Sequence, residues 1–148
     1  MSVNGKTCWK KTKISLATGS DQCGRDGPYK EQRYPVSCKA TLTGTGDRPL
    51  TLRVWTSLDQ NAQDESFGID NVVIRTQELQ FPIIEQFSNA NDFEGWNCGK
   101  IQKCGTFGNI CGGSGVKGKG SDIKKTFQLP EGKYIVNLKF LQIDSWYV

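Results

Sequence analysis

The sequence predicts an all-β fold, a sandwich of two antiparallel sheets stapled by disulfides. Three observations carry that prediction. Glycine occurs 17 times in 148 residues, and no block of Ala, Leu, Glu and Lys at helical spacing appears, so turns dominate over helices. Short runs of period-two alternation recur between turn signals, at the spacing of ~8–12 residues that marks sandwiches and barrels. Six cysteines, an even number, suit three disulfides in an oxidising compartment.

Asn4-Gly5 opens the chain with the strongest short-range hairpin signal, because both central residues of a type I′ turn need positive φ. The run before it is only Met1 to Val3, a poor strand. Set in front of Met1, Trp146-Tyr147-Val148 would complete it, as if a domain had been cut inside a hairpin. Residues 36–42 alternate and predict a strand, 44–49 a turn, and 50–56 a second strand with Leu50, Leu52, Val54 and Thr56 on one face. A polar loop over 59–66 leads into 67–74, apolar enough to be buried on both faces. Residues 77–82 read as a connector, 82–87 as a fresh strand, and 89–95 as a polar turn leading into Trp96. Glycines crowd 105–120, which predicts loops and tight turns. Residues 123–129 alternate weakly. Residues 134–143 form the best strand, with Tyr134, Val136, Leu138, Phe140 and Gln142 on one face.

The net charge of +4 is spread without a basic stripe, which argues against nucleic-acid binding. No run approaches the ~20 apolar residues of a membrane helix, so membrane insertion is not expected. There is no histidine and no Cys-x-x-Cys, so Cys8, Cys23, Cys38, Cys98, Cys104 and Cys111 read as disulfide partners rather than zinc ligands. Six cysteines allow about fifteen pairings. The starting expectation joins Cys23 to Cys38, Cys104 to Cys111 and Cys8 to Cys98. No secretory leader opens the sequence, so a secreted chain is expected to be mature or one unit of a longer precursor.

Two motif series add a resemblance. The first runs from Leu50-Thr51-Leu52-Arg53-Val54-Trp55 through Asp64-Glu65-Ser66-Phe67-Gly68-Ile69-Asp70-Asn71-Val72. It resembles the closing strands of extracellular jelly-roll modules. The second is Phe93-Glu94-Gly95-Trp96, Cys104-Gly105, Cys111-Gly112-Gly113, Lys125-Thr126-Phe127-Gln128-Leu129-Pro130 and Ile143-Asp144-Ser145-Trp146. It is similar to the opening half of tandem repeats in large protist surface proteins, notably of ciliates. The order is rotated, 79–148 and then 1–78. The resemblance implies a jelly-roll, galactose-binding-like sandwich, with 1–78 as the C-terminal half of a module and 79–148 as its N-terminal half. The two make one domain if the chain is permuted, and two half-domains if a repeat is cut mid-module. It also implies a secreted, cell-surface protein that assembles with copies of itself, head to tail, into a filament or coat. Met1, Val3, Ile143, Trp146 and Val148 would then build the self-association. Such sandwiches often hold one structural calcium ion.

The chemistry of the remaining residues is spare. Without histidine, Ser-His-Asp and Cys-His catalysis is excluded. Asp64 and Glu65 are adjacent and would face opposite sides of a strand, a poor start for paired-carboxylate hydrolysis. No catalytic function and no required cofactor is expected. Asp64, Glu65, Asp70 and Asp144 are candidate hard-oxygen ligands for calcium. Against that, Asp64 and Glu65 read as solvated loop residues, and Asp70 as a cap on backbone amides. Trp9, Tyr29 and Tyr34 could stack on sugar rings in a lectin-like module, the alternative to a filament protein. Trp55, Trp96 and Trp146 are expected to plug the core or its edges. The Gly112 to Gly120 stretch lacks the Lys-Ser/Thr ending and the following helix of a phosphate loop.

Overall fold

In a computed structural model of the chain, residues 1–11, 19–25, 30–76, 82–144 and 146 are described. The strands are β1 (Ser2–Val3), β2 (Lys6–Thr7), β3 (Gln32–Leu42), β4 (Arg48–Trp55), β5 (Glu65–Arg75), β6 (Ile83–Glu85), β7 (Ile101–Lys103), β8 (Asn109–Gly112), β9 (Asp122–Leu129) and β10 (Gly132–Asp144). A four-residue helix, α1 (Ala90–Phe93), and a 3-10 turn over Gly105–Phe107 complete the elements. One sheet has four strands in the order β2-β1-β4-β9. The other has six, β3-β10-β5-β8-β7, with β6 also on β5. The strands pair antiparallel throughout. The predicted all-β, sandwich-like fold is what the chain adopts.

The Asn4-Gly5 hairpin forms as expected. Asn4 (φ 49°) and Gly5 (φ 79°) both lie in the left-handed region, and Val3 faces Lys6 across the turn. The short β1 gains its second partner from β4, where Ser2 faces Arg53 and Val3 faces Leu52. Asn4 fastens the corner: its Oδ1 accepts from the Thr51 amide at 2.7 Å and its Nδ2 donates to the Pro49 carbonyl at 3.2 Å. A Cβ on Gly5 would meet nothing within 4 Å, so Gly5→Ala should cost only the left-handed backbone penalty, about 1 kcal/mol. Urea unfolding checks this; a neutral substitution would show the turn adopts another form.

Periodicity places the core. Leu50, Leu52 and Val54 of β4 face inward and meet Tyr134, Val136, Leu138 and Phe140 of β10, all buried. Residues 65–70 of β5 are buried on both faces, and the strand then alternates. The outer face of this sheet explains a second apolar series. Leu141 and Ile143 pack with Cys104 and Ile110 in a small separate cluster, flanked by Cys23 and Phe107. The end of β10 is thus covered on both sides. Trp96 and Trp146 are buried as expected. Trp55 lies at the edge rather than in the core: it follows the inward Val54 as the last residue of β4 and stays half-exposed, with the Arg53 guanidinium 4.8 Å over its ring.

A β-bulge interrupts the β5–β10 ladder. Asn137 faces Val73 and Lys139 faces Asp70, so Asn71 and Val72 together oppose Leu138, and Asn71 takes φ 51°. Asp70, buried beside the bulge, has its carboxyl pushed up from 3.8 to about 6 by desolvation, partly offset by the Asn71 amide and the charge of Arg33. The folded chain therefore holds a proton that the unfolded chain has released. Stability should fall as pH rises from about 3.8 to about 6 and stay reduced above. Asp70→Asn should abolish that fall, measured as melting temperature against pH; an unchanged slope would assign it to another group.

The six cysteines form three disulfides, but in other pairs than expected. They are Cys8–Cys38, Cys23–Cys104 and Cys98–Cys111, with Cα separations of 5.6, 4.6 and 4.9 Å. Two of the expected pairs join near neighbours and the third joins Cys8 to Cys98, whereas the sheets carry Cys8 to Cys38 and Cys23 to Cys104. Cys8 leaves the hairpin of one sheet to reach Cys38 on β3 of the other. Cys23 and Cys104 join across 81 residues. Three disulfides suit an oxidising, extracellular-type environment. Among the described residues no helix is long and apolar enough to cross a membrane.

The halves 1–78 and 79–148 interleave. β9 lies beside β4, and β10 lies between β3 and β5. Ile143 and Asp144 pair with Ser66 and Glu65 of β5 rather than extending β1, whose partners are β2 and β4. The short β1 is held by β2 and β4 instead. Tyr147 and Val148 lie outside the described residues.

Candidate functional site

Where the hairpin leaves the sandwich lies a cleft of about 410 Å³. Trp9, Lys10 and Lys11 follow β2 and form one wall. Trp55, Thr56 and Ser57, at the end of β4, form another. Phe140 of β10, with Trp146 and Met1, lines it too. The local causes are legible. Cys8 is bonded to Cys38, which fixes the backbone beside Trp9. Trp9 then packs on Phe140, ring centroids 5.6 Å apart, and Phe140 meets Trp146 edge-on at 5.8 Å. The Trp146 indole is pinned from behind, its Nε1 donating to the carbonyls of Ser66 at 2.9 Å and Ile143 at 3.0 Å. Trp9 and Trp55 remain half-exposed, while Lys10, Lys11 and Ser57 are exposed. Thr56 Oγ1 is buried and has no hydrogen-bond partner among the described residues.

Of the three aromatics expected to serve sugars, Trp9 lines the cleft. Tyr34 stands next to it: Lys11 lies 5.0 Å over its ring, and its hydroxyl bonds Gln32 and, at 3.2 Å, Gln142. Tyr29 lies outside the described residues. Trp55 is expected from the sequence to plug the core or its edges, and Thr56, Ser57 and Phe140 give no binding signal because they sit on elements read as core strands or loops. The alternation that placed Leu52 and Val54 inward already placed Trp55 outward. Met1, Val3, Ile143 and Trp146, expected at a self-association surface, are each buried within their own chain. Val148 is outside the described residues.

The four acidic residues expected near calcium are not gathered in one place. Glu65 and Asp144 face each other across the β5–β10 ladder, and both are buried. Glu65 is thus not the solvated loop residue expected, because β5 begins at it. Asp64 turns to Arg25 at 3.3 Å. Asp70 is five residues further along β5, roughly 17 Å away. It accepts a hydrogen bond from the Asn71 amide, the expected backbone cap. A residue not foreseen, Glu31, joins Asp144 instead. Its Oε2 accepts from the Gln22 and Cys23 amides, and Asp144 Oδ1 accepts from the Arg25 amide at 2.6 Å. Gly24 is obligatory between them, since a Cβ there would lie 2.3 Å from Glu31 Oε1 and 2.4 Å from Asp144 Oδ1. These carboxylates cap the loop carrying Cys23. Calcium takes about six to eight oxygens, and among the described residues no three acidic, cysteine or histidine side chains converge to hold an ion. The donor set does not fit calcium.

No protein-family model matches the chain, and no curated protein or solved structure matches it either.

Proposed function

We propose that this chain is a secreted, non-enzymatic binding module that holds a saccharide in the cleft between Trp9 and Trp55. The observation that carries the proposal is the lining itself. Two half-exposed indoles over an aromatic floor offer apolar faces for pyranose rings, and the exposed Thr7 and Ser57 add hydroxyls at the rim. The cleft is built in advance, because Cys8–Cys38 and the Trp9–Phe140 contact fix its movable wall. The other role suggested by sequence, head-to-tail assembly, draws less support. Four of the residues it would use are consumed by the chain's own core.

A glycan array followed by calorimetry tests the proposal. Trp9→Ala should weaken any saccharide bound by the wild type at least about tenfold, the loss of one stacked ring. Melting temperature should stay close to wild type, since Trp9 is only partly buried. Saccharide binding unaffected by Trp9→Ala would place the site elsewhere, and a concentration-dependent polymer in sedimentation would favour assembly.

A further inference from the structure

The cleft carries a charge as well as an aromatic surface. Lys10 and Lys11 stand at its mouth, exposed, and neither lies within 4.0 Å of a carboxylate among the described residues. Among the described residues no aspartate or glutamate lines it. The Arg53 guanidinium over the Trp55 ring is neutralised by Asp122 at 2.9 Å. The field inside the cleft is therefore set by two lysines acting together beside low-dielectric indole walls, which strengthens it relative to open water. A neutral sugar would use the stacking faces and leave the Lys10 ammonium to solvent and the Lys11 ammonium over the Tyr34 ring.

We infer that the ligand is an acidic saccharide, whose pyranose ring stacks on Trp9 while its uronate or sulfate group meets Lys10 and Lys11. The inference rests on the saccharide reading above and names its chemical class. The two lysines supply the preference for charge, and Trp9 supplies affinity common to acidic and neutral sugars. Because the ammonium groups are exposed, the contribution is modest and salt-sensitive.

Calorimetry on the full chain with three probes tests it: tetragalacturonate, its fully methyl-esterified form, and a sulfated galactan tetrasaccharide. At least one acidic probe should bind about tenfold more tightly than the ester at low salt, and the gap should close as salt rises. Which acid binds better tells uronate from sulfate. The Lys10→Gln/Lys11→Gln variant should reduce the gap to within about twofold, with the larger loss falling on the acidic probes. An ester bound as tightly as both acids, or a preference surviving in that variant, would overturn the acidic class while leaving the cleft a saccharide site. No heat with any probe at millimolar concentration would overturn both.

Discussion

Replacing Cys23 and Cys104 together with serine should cost about 4–5 kcal/mol of folding free energy, the largest loss among the three disulfides. The bond closes a segment of 81 residues, against 30 for Cys8–Cys38 and 13 for Cys98–Cys111. Loop-closure entropy grows with the logarithm of that length, so removing Cys98–Cys111 should cost only about 3 kcal/mol. Native contacts add to the same ranking. Cys104 is fully buried over Ile110, Leu141 and Ile143, and the loop around Cys23 brings the amides that Glu31 and Asp144 accept from. Once the loop is free, those buried carboxylates lose their donors. Urea unfolding of the two double-serine variants measures the ranking. A smaller loss for Cys23/Cys104 than for Cys98/Cys111 would show that the carboxylate caps hold the loop without the bond.

Lys125→Met should cost about 3 kcal/mol, more than an ion pair at the surface. Lys125 comes from β9 and pairs with Glu85 of β6, both mostly buried, so the pair bridges the two sheets. The other Glu85 oxygen accepts from Trp96 Nε1, and the Lys125 ammonium lies 4.8 Å from the Phe127 ring centroid. Removing the ammonium leaves a carboxylate in an aromatic pocket with one neutral donor. Adding Glu85→Gln should restore most of the loss, because the amide oxygen still takes the indole proton and no charge remains buried. A double-mutant cycle in urea reads this directly. A single variant within ~0.5 kcal/mol of wild type would mean that water already reaches Glu85.

Much of the sandwich was legible because burial follows periodicity. Leu50, Leu52 and Val54 alternate, and so do Tyr134 through Phe140; both series face the core. The Asn-Gly turn declared itself through backbone chemistry alone. What stayed hidden was long-range. The partner of β1 is β4, some fifty residues away, and nothing in Met1-Ser2-Val3 specifies it. Cysteine pairing failed for the same reason, since only the assembled sheets bring Cys23 to Cys104. Half of the cleft was visible in Trp9, beside a cysteine and two lysines. The other half needed the register that carries Trp55 and Phe140 to the same opening. Glu31 gave no signal, because a buried capping carboxylate and a solvated surface one look alike in sequence.

The Asn4-Gly5 corner also sets a chemical clock. An asparagine before glycine loses its amide when the Gly5 nitrogen attacks the side-chain carbonyl carbon. In the folded hairpin that side chain is turned across to β4, its oxygen on the Thr51 amide and its nitrogen on the Pro49 carbonyl. Deamidation must first break both bonds. Conversion of Asn4 to aspartate or isoaspartate, read by mass spectrometry in aged samples, thus records how often the hairpin lifts from its neighbour. Once formed, the new carboxylate confronts the Pro49 carbonyl without a proton to offer it, so the first opening makes the next one easier.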